Sequence, residues 1–248
     1  MSTHITAAYA LAVLGFAVGV ALAARLATVD DADTDRGKFA YLLAIPGFAG
    51  LMYIVMALDV GVLTVGSETI VLPRYVDWLV TTPLLVGYVG YVAGAPRRWI
   101  AGVMAADAGM IAAGAVATVT TGPTKWAFFA ISGGFHLSLF YVLYRVLPTY
   151  ARNFSKRRGL FKLLQNHIGL LWVAYPLVWL VGAPGLGYVS AAGITLIIIY
   201  LDVVAKVPYI YFVWNRRYCF DRDAAESTMG SGAQPTPAGP GGASTADD

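Results

Sequence analysis

Seven apolar segments divide this chain, at approximately residues 5 to 28, 39 to 58, 70 to 93, 99 to 120, 126 to 147, 166 to 182 and 189 to 214. Each is near the roughly 20 residues that a helix needs to cross a bilayer, with tilt absorbing any excess. Lipid offers the backbone no hydrogen bonds, so such segments must satisfy their own as helices. Of 248 residues, 58% are hydrophobic and only 12% charged, whereas a soluble domain carries about one quarter charged residues. The predicted fold is an all-α membrane protein, a seven-transmembrane-helix bundle over residues 1–222. Residues 223–248 are mostly Ala, Ser, Thr, Gly and Pro, with Asp at the end, a composition that cannot bury a core and predicts a disordered cytoplasmic tail.

Direction follows from the basic residues. Arg25, Arg36, Lys38, Arg97, Arg98, Arg145, Arg152, Lys156, Arg157, Arg158, Lys162, Arg216, Arg217 and Arg222 fall on one side if the spans alternate. By the positive-inside rule that side is cytoplasmic, with the N-terminus outside and the C-terminus inside the cell (plasma) membrane. The net charge of +3 is then a topology signal and implies no nucleic acid partner. Cys219 is the single cysteine, so neither an intrachain disulfide nor a cysteine metal cluster is available. The first segment follows no Lys or Arg and reads as a retained span rather than a signal peptide. Lacking interior charge, it is expected to be a peripheral, lipid-facing helix without chemistry. The acidic loop from Asp30 to Asp35 lacks EF-hand spacing and reads as a solvated surface.

The last span, Ile194 to Trp214, carries Asp202 and Lys206 near its middle. A lysine at that depth costs about 2.5 to 3.5 kcal/mol on insertion scales, which makes it a candidate functional residue with a partner to be found. Asp202 precedes it by four residues and so shares its helix face. Two readings fit equally: a structural ion pair, or a desolvated amine able to condense with an aldehyde.

In the third segment Arg74, Asp77 and Thr81 are spaced three and four apart and project from one face. Two cations, Arg74 and Lys206, then stand against two anions, Asp77 and Asp202, and such a cluster can persist in low dielectric. A purely structural polar seam is the plain alternative. Pro83 is expected to kink this helix, with threonine hydroxyls near the freed backbone groups. Tyr53 in the second segment needs a hydrogen-bond partner, and Asp59 at its end is expected to be exposed.

Segment four places Met110 and Gly114 on one face beside Asp107, which suits close helix packing or a wall beside a flat ligand. Segment five offers Trp126, Phe128, Phe129, Ser132, Gly133, Gly134 and His136; an aromatic stripe of this kind is more often core than cofactor box. Between segments five and six, Arg152 to Lys162 is expected to be a basic loop that meets anionic lipid or an acidic partner. In segment six Trp172, Tyr175 and Trp179 line one face mid-span, where interfacial anchoring does not account for them, and Pro176 bends the helix. They would clamp a long, flat, apolar ligand. His167 is the histidine singled out here, against the plain alternative of a satisfied core or cap histidine.

Three runs, Arg74-Tyr75-Val76-Asp77-Trp78-Leu79-Val80-Thr81-Thr82-Pro83-Leu84-Leu85, Trp172-Val173-Ala174-Tyr175-Pro176-Leu177-Val178-Trp179 and Leu201-Asp202-Val203-Val204-Ala205-Lys206-Val207, in this order over seven spans, resemble the microbial (archaeal) rhodopsins. The resemblance implies all-trans retinal bound covalently to Lys206 as a protonated Schiff base. It implies Asp77 as main counterion and proton acceptor, with Asp202 and Arg74 completing the counterion complex. It further implies a pocket of Trp78, Thr81, Thr82, Leu85, Met110, Gly114, Phe129, Ser132, Gly133, Trp172, Tyr175, Pro176, Trp179 and Ala205.

Departures from the proton pumps of that family narrow the expectation. The pumps carry an Asp eleven residues beyond the counterion, where this chain has Tyr88, and two glutamates for proton release, where it has Pro184 and Ile194. Tyrosine, with a reference pKa of about 10, is a poor donor to a base that must be refilled quickly. The runs Leu84-Leu85-Val86-Gly87-Tyr88-Val89-Gly90-Tyr91, Phe135-His136-Leu137-Ser138-Leu139-Phe140 and Gln165-Asn166-His167-Ile168-Gly169-Leu170-Leu171-Trp172, and Lys206-Val207-Pro208-Tyr209-Ile210-Tyr211-Phe212 followed by Arg216-Arg217, look like sensory rhodopsin I. That similarity implies a phototaxis receptor, not an enzyme, signalling through a two-helix membrane transducer docked on segments six and seven. It places His167 on the cytoplasmic side of the photoactive site, and Tyr200 matches a transducer-coupling position of the sister family, sensory rhodopsin II. The competing expectation is a light-driven outward proton pump.

Overall fold

The computed structural model describes residues 3–28, 37–65 and 68–220. Seven long helices run through it: α1 (Thr3–Ala27), α2 (Gly37–Ala57), α3 (Leu72–Val92), α4 (Arg97–Val119), α5 (Gly122–Ala151), α6 (Ser155–Val181) and α7 (Ala191–Asn215). Successive helices touch, α1 also meets α7, and α3 reaches across to α6, so the helices form a closed bundle. Six of them are long and apolar enough to cross a membrane. The exception is α3, whose Arg74, Asp77, Thr81 and Thr82 are polar but buried inside the bundle. The chain is a multi-pass membrane protein. The acidic loop after α1 and the expected tail lie outside the described residues.

Several expectations need correction. The third segment starts later than predicted, because β1 (Val62–Val65) and β2 (Glu68–Val71) form an antiparallel hairpin that pairs Val62 with Val71 and Val65 with Glu68. The β-branched residues Val62, Thr64, Val65, Thr69, Ile70 and Val71, with Gly66-Ser67 between the strands, explain the extended backbone. The basic loop expected between segments five and six is mostly helix: α5 ends at Ala151 and α6 begins at Ser155. Hydropathy sees only the apolar part of a helix, and the backbone pattern carries on past it through Lys156, Arg157, Arg158 and Lys162. Nor is α1 merely lipid-facing, because Tyr9 and Phe16 are 1% and 0% exposed. Asp59 is exposed, as expected, and adopts a positive φ of 60° after α2.

Inside lipid, packing rather than transfer from water joins helices, so small residues matter at close crossings. A Cβ on Gly19 would stand 2.9 Å from Cβ of Pro46, which shows how closely α1 approaches α2. The larger buried cluster fills the end of the bundle where the arginines gather, from Leu26 and Phe39 through Leu85 to Val92, Leu143, Leu160 to Ile168, and Tyr209 to Phe220. A smaller cluster joins Tyr9, Phe16, Tyr53 and Ile199 of α1, α2 and α7 toward the other end. Between them lie the buried Asp77, Asp202 and Lys206.

Candidate functional site

Lys206 projects from the middle of α7 into the bundle and is 1% exposed. Its Nζ donates to Oδ2 of Asp77 at 2.5 Å and lies 4.0 Å from Oδ2 of Asp202. The ring of Phe16 faces the ammonium at 5.6 Å. Asp77 and Asp202 are 0% and 1% exposed, so three ionisable groups share one buried volume. A buried cation and carboxylate hold together only when their geometry and remaining hydrogen bonds are good.

The two carboxylates are held differently. Asp202 accepts from the hydroxyls of Tyr53 and Tyr175, each at 2.7 Å, and from the indole of Trp78 at 3.0 and 3.1 Å. Among the described residues Asp77 accepts from Thr81 at 3.2 Å and from the lysine, and from no other side chain. Asp202 is thus anchored by neutral donors. Asp77 depends on the cation beside it.

Arg74 stands apart from both. Its Nη2 donates to the hydroxyl of Tyr9 at 3.0 Å, and its Nε has no partner among the described residues. No carboxylate of those residues comes within 4.0 Å of it, so its relation to Asp77 and Asp202 is one of field rather than contact. In α3 the hydroxyls of Thr81 and Thr82 donate back to the carbonyls of Asp77 and Trp78, both at 2.8 Å, one turn before Pro83. Thr82 also donates to Oδ2 of Asp107 on α4 at 2.6 Å, and Oδ1 of that carboxylate has no partner among the described residues.

Beside this cluster a cavity of about 720 Å³ opens toward the hairpin end of the bundle. Trp78, Thr82, Met110, Gly114, Phe129, Ser132, Gly133, Trp172, Tyr175, Pro176 and Trp179 all border it. Thr81, Leu85, Asp202, Ala205 and Lys206 do not. Thr81 serves Asp77, the Leu85 carbonyl accepts from Tyr209, and the amine is engaged by Asp77. Trp179 stacks on Phe129 at 4.5 Å and 17°, and Trp78 meets Tyr175 edge-on at 5.4 Å. Flat apolar walls with a few directed polar groups suit a rigid, planar, mostly apolar ligand. Gly114 supports this fit: a Cβ there would meet only the Ser132 hydroxyl, at 3.5 Å, on the cavity side.

His167 is half-buried, with Nε2 3.2 Å from the carbonyl of Ala205, the residue before the lysine, and its ring edge-on to Phe212. Tyr88 is 2% exposed among Tyr41, Tyr91 and Tyr209, and its hydroxyl has no partner among the described residues. Tyr200 is 66% exposed on the outer face of α7. Sequence reasoning gave no role to Tyr9, Phe16 or Asp107, and flagged Tyr53 only as a phenol wanting a partner. Buried polar atoms inside apolar helices were the available signal for three of them. Phe16 gave none.

A family model described as bacteriorhodopsin-like protein matches residues 2–218. Sensory rhodopsin-1 of Halobacterium sp. (strain SG1) is 51% identical over 242 residues, covering 94% of this chain and 98% of that protein. Sensory rhodopsin-1 of Halobacterium salinarum is 53% identical over 216 residues, covering 87% and 90%. Among solved structures, a cyanorhodopsin from Calothrix sp. NIES-2098 matches with a TM-score of 0.83 at 30% identity, covering 87% of this chain and 96% of that one. The light-driven proton pump rhodopsin of Coccomyxa subellipsoidea matches with a TM-score of 0.80 at 26% identity, covering 87% and 97%.

Proposed function

Because the chain belongs to the bacteriorhodopsin-like family, and its relatives at about half identity include sensory rhodopsins I, we propose that it works as a phototaxis receptor with retinal as chromophore. The observation that carries the reading is a fully buried primary amine, 2.5 Å from a buried carboxylate, beside an aromatic cavity. Lys206 would hold all-trans retinal as a protonated Schiff base, which when bound would supply visible absorption and a change of shape on illumination. The protein residues do the rest.

Trp78, Tyr175, Phe129 and Trp179 orient a planar chain and keep water from it. A proton on the Lys206 nitrogen has Asp77 Oδ2 as its near acceptor at 2.5 Å, against 4.0 Å for Asp202. Asp202 is also the poorer destination, since three donors already stabilise its charged form. Displacement of the cavity wall on α6 is then the signal. Pro176 leaves that helix a missing backbone bond, and Gly187, at φ 71°, lets the following connection turn. We assign the N-terminus to the outside and the C-terminus to the cytoplasm of the cell membrane, because the arginine-rich helix ends lie together. Tyr200 of α7 and Leu170, Val173 and Leu177 of α6 are exposed, and we assign them to the surface offered to a two-helix transducer.

The rival is an outward proton pump. Tyr88 speaks against it: at the position expected for a proton donor it is a phenol enclosed by other rings, and its hydroxyl is bonded to nothing among the described residues. Adding all-trans retinal to the apoprotein should produce a visible band, and no band ends the photoreceptor reading. Illuminating cells with and without a co-expressed transducer separates receptor from pump. Brisk acidification without a transducer would favour the pump.

A further inference from the structure

Helix α5 is interrupted by one π-helical turn, Val142–Val146. Its cause is in the sequence. In an α-helix the Tyr144 carbonyl would need the N–H of residue 148, which is Pro148; the proline has no N–H and its ring would press on that carbonyl. The π turn lengthens each bond by one residue, so Leu147 N–H goes to the Val142 carbonyl. The defect is thereby moved rather than removed. In the π register it is the Leu143 carbonyl that faces the proline and finds no backbone donor.

Gln165 of α6 meets that need. Its Nε2 donates to the Leu143 carbonyl at 2.8 Å, and Gln165 and Leu143 are 6% and 5% exposed. Each register thus strands one carbonyl, and a neighbouring helix decides between them. Gln165 lies seven residues before Trp172, on the same face of α6. Trp172 borders the large cavity and also a void of about 10 Å³ lined by Leu139, Phe140, Leu143 and Leu147, directly under the π turn. The same indole therefore touches the ligand's space and the slack beside the defect.

We propose that the π turn of α5 is a two-register element, and that Gln165 is the positioning residue that holds it in the π register until α6 moves. The inference rests on the reading that light displaces the cavity wall on α6. When Trp172 is pushed, α6 carries Gln165 away from Leu143; the π register loses its external donor and α5 shifts toward the α register. The change reaches the arginine-rich end of the bundle, since Arg145 lies within the turn and Arg152 follows the end of α5.

The test uses the full chain with all-trans retinal in lipid nanodiscs, following recovery after a flash. Q165M keeps length and removes the donor. Its visible band should stay in place, because Gln165 does not border the cavity, while recovery slows about fivefold, the scale of one buried hydrogen bond. P148A restores the backbone donor, and in that background Q165M should leave recovery unchanged. Equal recovery with and without Q165M, or the same slowing with and without P148A, overturns the proposal, the second because it marks a packing effect. Independently of any variant's folding, leucine labelled with 13C at the carbonyl should shift a band in the light-minus-dark infrared spectrum of the unaltered protein. No label-sensitive band also overturns the proposal. A protein that shows no visible band with retinal would fail at the earlier step and take this proposal with it.

Discussion

Lys206 on α7 meets Asp77 on α3 at 2.5 Å in a buried volume, so each side chain has its nearest opposite charge in the other.

Asp77→Asn removes a titratable charge from beside the nitrogen. A carboxylate near a cationic polyene stabilises the ground state, whose charge sits at the nitrogen, more than the excited state, whose charge has spread. The unaltered protein should therefore move between two band positions as Asp77 ionises. The variant should hold the longer-wavelength position at every pH. Absorption spectra across a pH titration check this, and the same two-position titration in the variant would reject Asp77 as counterion.

Lys206→Arg preserves a cation beside Asp77 but offers no amine that can condense with an aldehyde. Incubation with all-trans retinal should give no visible band, and borohydride reduction of the unaltered protein should leave a retinyl adduct on the peptide containing Lys206. An adduct on any other peptide would sink the assignment.

Thr82→Val leaves Asp107 with neither oxygen bonded among the described residues, since Thr82 alone of them donates to it. Stranding a buried acceptor costs about 1–3 kcal/mol, so thermal loss of the visible band should begin at lower temperature. Thr82→Ser keeps the hydroxyl and should recover most of that loss.

Gly19→Ala places a methyl 2.9 Å from the rigid ring of Pro46, an overpacking that costs about 1–3 kcal/mol. Gly47→Ala on the neighbouring helix meets nothing within 4 Å and should be neutral or stabilising by up to about 1 kcal/mol. Thermal unfolding of the pair in the same lipid measures the difference.

The chain announced much of this arrangement. Asp202 and Lys206 share a face because they are four apart, and the triplet Trp172, Tyr175 and Trp179 lines the cavity for the same reason. Tyr53 wanted a partner and found it in Asp202. What stayed hidden has physical causes. A uniformly apolar helix has no polar face to betray which side turns inward, so Tyr9 and Phe16 on α1 could not be told from lipid-facing neighbours. Hydropathy marks the greasy length of a helix and misses its extension into water, which misplaced the start of α6. The missing donor of Pro148 was visible in the sequence, but nothing there told which register α5 would choose, because the deciding donor, Gln165, belongs to another helix.

Asp202 belongs to α7, and its hydrogen-bond donors come from α2, α3 and α6. A single side chain is in this way the keystone of four helices. Swinging α6 aside withdraws the Tyr175 donor from a carboxylate that α2 and α3 also hold, so a nudge on α6 arrives at the one group to which all of them are tied.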